Sequence, residues 1–199
     1  MKQPKTLLQM AGAAIQPADL RTSTLVLIDC QQEYVFGGLV LPEVEKALAE
    51  IELAIKKARS GSHPIVHIMH QGAKGGLFDL DEETGKLAPQ ASAAGNETII
   101  KKKRPNAFQN TNLHETLQKI GHKNIIFAGF MTHMCISSTV RAALDLDYQS
   151  WVIDKATATR DLPTADGGFI TARNLHNAVI SGLADRFATI VADAKSVLG

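Results

Sequence analysis

Short apolar runs alternate along the chain with apolar positions at helical spacing. Thr24-Leu-Val-Leu-Ile28 places four apolar residues behind a threonine and reads as a strand buried on both faces. Behind Pro42, Val44, Ala47, Leu48, Ile51, Ala54, Ile55 and Ala58 recur at the three-and-four spacing of one helix face, and Gly61 falls where that helix should stop. Pro64 then opens a second strand, Ile65–Met69. Further strands are expected over Glu97–Lys101, Asn124–Ala128, Ser150–Ile153 and Phe187–Val191. Helices are expected over Asn112–Ile120, His133–Asp147 and Thr171–Gly182. This rhythm predicts an α/β protein, a three-layer α/β/α sandwich on a six-stranded, mostly parallel, Rossmann-like sheet. Right-handed crossovers put helices on both faces. Residues 1–21 fall outside the pattern and read as an N-terminal extension or arm, leaving 22–199 as a single domain. The glycine-rich interval from His70 to Asn96 reads as one long loop, and loops of that length are usually functional.

Composition narrows the classes. The 199 residues are 45% hydrophobic, too apolar for a disordered chain. A net charge of +1 offers no electrostatic footprint for nucleic acid. The longest apolar runs are far shorter than a membrane span. Two cysteines cannot build a disulfide scaffold, and nothing at the N-terminus has the pattern of a signal peptide. The expectation is a cytoplasmic protein with a small-molecule substrate, engaging neither nucleic acid nor membrane.

Open parallel sheets bind ligands at the carboxyl ends of their strands. The first expected strand ends at Asp29, the third at the lysines 101–103, and the fourth leads to Cys135 on the first turn of a helix. A carboxylate, an ammonium and a thiol therefore converge on one sheet edge. Thr132 is a candidate N-cap, which sets Cys135 near the third helical position, where backbone amides favour a thiolate and an oxyanion. A nearby lysine should lower the thiol pKa further, and Asp29 could take its proton. Strand alternation sends Lys101 and Lys103 to the side opposite Lys102, so only one parity reaches the site, and spacing alone does not choose between them.

Three segments resemble the isochorismatase-like cysteine hydrolases, a family that includes nicotinamidases and related amidases. They are Leu25-Val-Leu-Ile-Asp-Cys-Gln31, Lys102-Lys-Arg-Pro-Asn-Ala-Phe108 and Gly129-Phe-Met-Thr-His-Met-Cys-Ile-Ser-Ser-Thr-Val-Arg141. The resemblance runs from about Thr22 to Asp193. It implies the isochorismatase-like hydrolase fold and a catalytic triad of Asp29, Lys102 and Cys135, the spacing to Phe108 selecting Lys102. It further implies a cis peptide between Phe130 and Met131, an oxyanion hole from the Met131 and Cys135 amides, and a homo-oligomer. The implied reaction is hydrolysis of a small amide's C–N bond through a thioester. Relatives named for isochorismate lack the cysteine, so Cys135 points away from isochorismate.

No cofactor and no metal are expected. The family's nicotinamidases use an Asp-x-His element for zinc, and none occurs here, while His67 and His70 fall on opposite faces of their strand. Gln31, Tyr34, Phe36, His70, Phe108 and His133 are candidate substrate contacts, with Phe78 a further apolar wall. Cys30 should point away from the site into the core. Gly72-Ala-Lys-Gly-Gly76 lacks the spacing of a phosphate loop. Two other readings share the fold: a thiol-based redox or detoxifying protein, and a non-catalytic binding module.

Overall fold

Six parallel strands lie side by side in the order β3-β2-β1-β4-β5-β8. They are β1 (Ser23–Ile28), β2 (Ile65–His70), β3 (Thr98–Lys102), β4 (Asn124–Phe130), β5 (Gln149–Ala158) and β8 (Thr189–Val191). The structure, a computed structural model, describes residues 3–12 and 16–199. Residues 1–2 and 13–15 of the expected arm lie outside the described residues. β1 sits at the centre, pairing Leu25 with Ile65 and Ile28 with Ile68 on one side, and Ile28 with Gly129 on the other. All six of its residues are buried, as expected of a strand covered on both faces.

The pleat divides the core in two. Leu25, Leu27, Ile126, Phe130 and Ile153 pack with helix α2 (Val44–Ser60) in one apolar cluster. Val26, Ile28, Ile68, Phe127 and Val152 pack on the other face. There they meet α3 (Leu113–Ile120), α4 (Ser137–Asp145) and α5 (Ala172–Arg186). A short helix, α1 (Leu7–Met10), lies near α5, with the Leu7 N–H donating to Asp185 Oδ1 at 2.8 Å. Truncating one of the central Leu or Ile side chains to Ala would cost about 2–5 kcal/mol.

Several boundaries differ from the periodicity. The helix expected to stop at Gly182 continues to Arg186, because Leu183 prolongs its buried face. The final strand therefore starts at Thr189 rather than Phe187. Gly61 caps α2 with a negative φ, and Ser62 takes the left-handed conformation instead. After β5 a small antiparallel hairpin, β6 (Leu162–Pro163) and β7 (Phe169–Ile170), was not signalled by any apolar run. β3 extends one residue past the expected end, which pairs Lys102 with His70.

One polar network locks the edge of the sheet. Glu97, immediately before β3, accepts from Arg59 Nε at 2.7 Å, from the Ala94 N–H at 2.9 Å, and lies 2.8 Å from His67 Nε2. Burial alone would raise its pKa, but Arg59, the Ala94 amide and His67 outweigh it and bring the carboxyl to about 2. A carboxylate held below its unfolded value stabilises the fold above that value, and the stabilisation is lost as pH falls through the folded pKa. Glu97→Gln should therefore lower stability near neutral pH by about 1–3 kcal/mol. Urea denaturation should show the gap between variant and wild type closing as pH falls from about 4.5 to about 2.

Candidate active site

Three strand ends deliver the reactive groups. Asp29 follows β1 with φ +52°, a left-handed geometry that Asp and Asn tolerate better than other side chains, and its N–H donates to Ile68 O at 2.9 Å. Lys102 closes β3; alternation leaves Lys101 and Lys103 exposed and turns Lys102 inward, 1% exposed. Cys135 lies in a single π-helical turn, Thr132–Ile136, that joins β4 to α4. The turn is defined by the Ile136 N–H, which donates to Met131 O at 3.3 Å, five residues back. β4 can approach β1 closely only because residue 129 is glycine: φ is +119°, and a Cβ there would lie 2.0 Å from Ile28 O.

The Lys102 ammonium stands at the centre. Its Nζ is 2.6 Å from Asp29 Oδ2, 3.1 Å from His70 Nδ1 and 3.3 Å from Cys135 Sγ. An ammonium has three protons and no acceptor, so these three partners use all of them. His70 Nδ1 must accept, which places any ring proton of the neutral imidazole on Nε2. Burial, and then the Lys102 charge, hold the His70 pKa below its ordinary value, in keeping with the neutral form. Asp29, His70 and Cys135 have ligand-type atoms within 4.8 Å of one another, a spacing able to hold a cation. The ammonium of Lys102 bonds to that same set.

The electrostatics correct one sequence expectation. Cys135 is not a low-pKa thiol: burial, and then the Asp29 charge, push it up to about 12, with Lys102 only partly opposing. Burial likewise raises Asp29, against the pull of Lys102. One buried cation faces two groups that could each carry a negative charge, and Lys102 balances one such charge at a time. Moving the thiol proton to Asp29 keeps the total charge unchanged.

The remaining candidates separate into those near the triad and those elsewhere. Tyr34 is buried, edge-on to Phe78 at 5.2 Å and Phe130 at 5.5 Å between ring centroids, and its hydroxyl titration is raised by burial and by the charges of Asp29 and Cys135. Phe78 also packs edge-on to His70 at 5.1 Å. Gln31 is not free for substrate. Its amide donates to His70 O and Gly85 O and accepts from the His70 N–H, tying the 71–97 connection to β2. Phe36 is 53% exposed, and Phe108 lies elsewhere, stacked on Tyr148 at the amino end of β5. His133 is half-buried and bonded to the Thr159 hydroxyl through Nδ1. Cys30 is buried in the α2-side cluster, with Cys135 in the opposite one, as alternation predicts.

Some functional groups were not signalled by any motif. Glu33, 2% exposed, accepts from the N–H groups of Gly38 and Phe78 and so holds Phe78 beside Tyr34. The signal available in the sequence was its position, an acidic residue four places after Asp29 in the turn that leaves β1. The glycine-rich stretch at 72–76 does not present its amides outward, since the Gly75 N–H donates to Asp79 at 2.6 Å. The peptide between Phe130 and Met131 is cis. Thr132, expected as N-cap, makes no capping bond; Met131 occupies that position, and the Thr132 hydroxyl pairs with His176 Nδ1 at 3.1 Å. A cavity of about 730 Å³ opens beyond the carboxyl end of β5, lined by Glu43, Asp154, Thr159, Arg173 and His176. No triad residue lines it, so the convergence of reactive groups, not cavity size, identifies the candidate site.

Replacing Lys102 by Met would leave Asp29 buried without its cation. Lys102→Met should destabilise the fold by about 3–5 kcal/mol near neutral pH. The loss should shrink as pH falls and Asp29 takes up a proton, a trend readable by urea denaturation across pH.

The Isochorismatase domain family matches residues 23–194. The secreted isochorismatase effector Isc1 of Verticillium dahliae is 32% identical over 183 residues, covering 92% of this chain and 94% of the relative. Nicotinamidase 3 of Arabidopsis thaliana is 32% identical over 185 residues, covering 86% of this chain and 85% of that protein. The crystal structure of an isochorismatase from Pseudomonas putida KT2440 superposes with a TM-score of 0.94 at 39% identity, covering 98% of this chain and all of that one. With this match across the sheet and its strand ends, the chain belongs to the isochorismatase family of hydrolases.

Proposed function

We propose that this protein is a cysteine hydrolase that cleaves the C–N bond of a small amide without a metal or other cofactor. The observation that carries the reading is the buried contact of one ammonium with a carboxylate and a thiol. Asp29 takes the Cys135 proton, and the thiolate attacks the amide carbonyl carbon. Lys102 keeps the shifting negative charge neutralised throughout. The tetrahedral oxyanion is met by the Met131 and Cys135 amides, then collapses, and the leaving nitrogen receives the proton from Asp29. Water, deprotonated by Asp29, hydrolyses the thioester and returns the thiol. Amide and water thus become carboxylic acid and amine or ammonia.

Lys102 supports the metal-free form, because its ammonium bonds to the groups that would otherwise ligate a cation. An amide is favoured over isochorismate by the thiol itself and by similarity to a relative named Nicotinamidase 3. A cytoplasmic location is inferred from composition; no helix among the described residues is long and apolar enough to cross a membrane, and one relative is named as secreted. A homo-oligomer is supported by exposed Phe36, Val40 and Phe169 on connections that follow carboxyl strand ends.

The test is an ammonia-release screen over small amides, ureides and carbamoyl compounds. At least one should turn over, unaffected by a strong chelator. Cys135→Ala, Asp29→Asn and Lys102→Met should each lose about 10³-fold or more of kcat/KM. Turnover retained by Cys135→Ala, or lost to chelator and restored by zinc, would sink the reading. Because burial raises Asp29, the acid limb of kcat/KM should lie above the ordinary aspartate range.

A further inference from the structure

The turn that carries Cys135 is held from outside by a chain of three side chains. Thr132 is fully buried, and its Oγ1 lies 3.1 Å from His176 Nδ1 on α5. The other ring nitrogen, Nε2, lies 2.7 Å from Asp154 Oδ1 on β5. A carboxylate only accepts, so the Asp154 contact puts a proton on Nε2. In the neutral ring Nδ1 is then an acceptor, and the Thr132 hydroxyl donates to it. The order of groups is acid, imidazole, hydroxyl, but this hydroxyl is sealed from solvent and cannot serve as a second nucleophile.

Its place in the chain gives it a different part. Thr132 opens the π-helical turn, directly after Met131 and three residues before Cys135. As the first residue inside the turn, with Met131 in the cap position, Thr132 makes no capping bond, and its hydroxyl reaches across to α5. The next residue is tied as well, His133 bonding to Thr159 beyond β5. On the other side, Gly129 packs directly on the backbone of Ile28, one residue before Asp29. The segment between is thus anchored to β1 at one end and to α5 and β5 at the other.

We infer that His176, oriented by Asp154, is a positioning residue that fixes the Cys135 turn through Thr132 and so sets the thiol against Asp29 and the substrate carbonyl. The inference rests on the hydrolytic reading for its turnover data, and on a thiol measurement for the rest. His176→Leu removes the acceptor, His176→Asn keeps an amide oxygen near the place of Nδ1, and Thr132→Val removes the donor at nearly constant volume.

On the amide that wild type turns over best, His176→Leu and Thr132→Val should each lower kcat about 10- to 100-fold with KM changed by no more than about twofold. His176→Asn should recover most of the loss, and the Leu/Val double variant should be no slower than its slower parent. Iodoacetamide labelling of Cys135 at fixed pH, followed by peptide mass, should shift in rate with His176→Leu and return with His176→Asn. If His176→Leu does not fold, by melting curve, Thr132→Val against wild type decides the matter by the same split. The inference is overturned if kcat holds, if KM carries the loss, if Asn rescues no better than Leu, or if the two losses multiply. Should wild type hydrolyse no amide, releasing neither ammonia nor amine, the hydrolytic reading fails on its own, and the labelling rates alone decide the role of His176.

Discussion

A single ammonium in a dry place governs this site. Lys102 is almost wholly buried, and an isolated buried charge is strongly unfavourable. The fold tolerates it because Asp29, His70 and Cys135 bring three acceptors to its three protons. The dependence is mutual. Without Lys102, Asp29 would be neutral and no longer a base, and with a second anion present the pocket would hold excess negative charge. The site therefore admits one negative charge at a time, and chemistry there consists of moving it between oxygen and sulfur.

That requirement explains the precision demanded of the strand ends. Asp29, Lys102 and Cys135 come from three separate strand–loop junctions, and adjacent strands fix them through register: Ile28 opposite Gly129, His70 opposite Lys102. A slip of one residue would turn Lys102 outward with Lys101 and Lys103. The clamps formed by Gln31 and Glu33 draw the 71–97 connection, with Phe78, onto the same corner. Burial at this corner is what raises both Asp29 and Cys135.

Much of this was legible in the sequence, and the boundary has a physical cause. The strands, their parallel arrangement and the convergence of Asp29, one of the lysines 101–103 and Cys135 follow from periodicity and from the carboxyl-edge rule, whereas the choice of Lys102 came only with the family resemblance. Gln31 and Phe108 were misread because sequence gives a residue's chemistry but not its partners: the Gln31 amide is used by His70 and Gly85, and the Phe108 ring by Tyr148. Thr132 was read as a cap because the turn was expected to begin one residue later; the chain enters it already at Thr132, Met131 holds the cap position, and the partner of the Thr132 hydroxyl, His176, lies 44 positions away. The direction of the Cys135 shift was missed for a similar reason. Proximity to a lysine can be inferred from motifs, whereas desolvation depends on everything packed around the sulfur.

The pleat that sorts the core also isolates the two thiols. Cys30 belongs to the cluster beneath α2, and Cys135 to the cluster beneath α3, α4 and α5. A disulfide between them would have to cross the central sheet, so an oxidised Cys135 has no internal thiol to resolve it. Any sulfenic acid formed there persists until a small thiol from solution reaches it. The chain thus lacks the paired cysteines of a self-resetting redox sensor, and its dependence on oxidants is that of a one-way loss repaired only from outside.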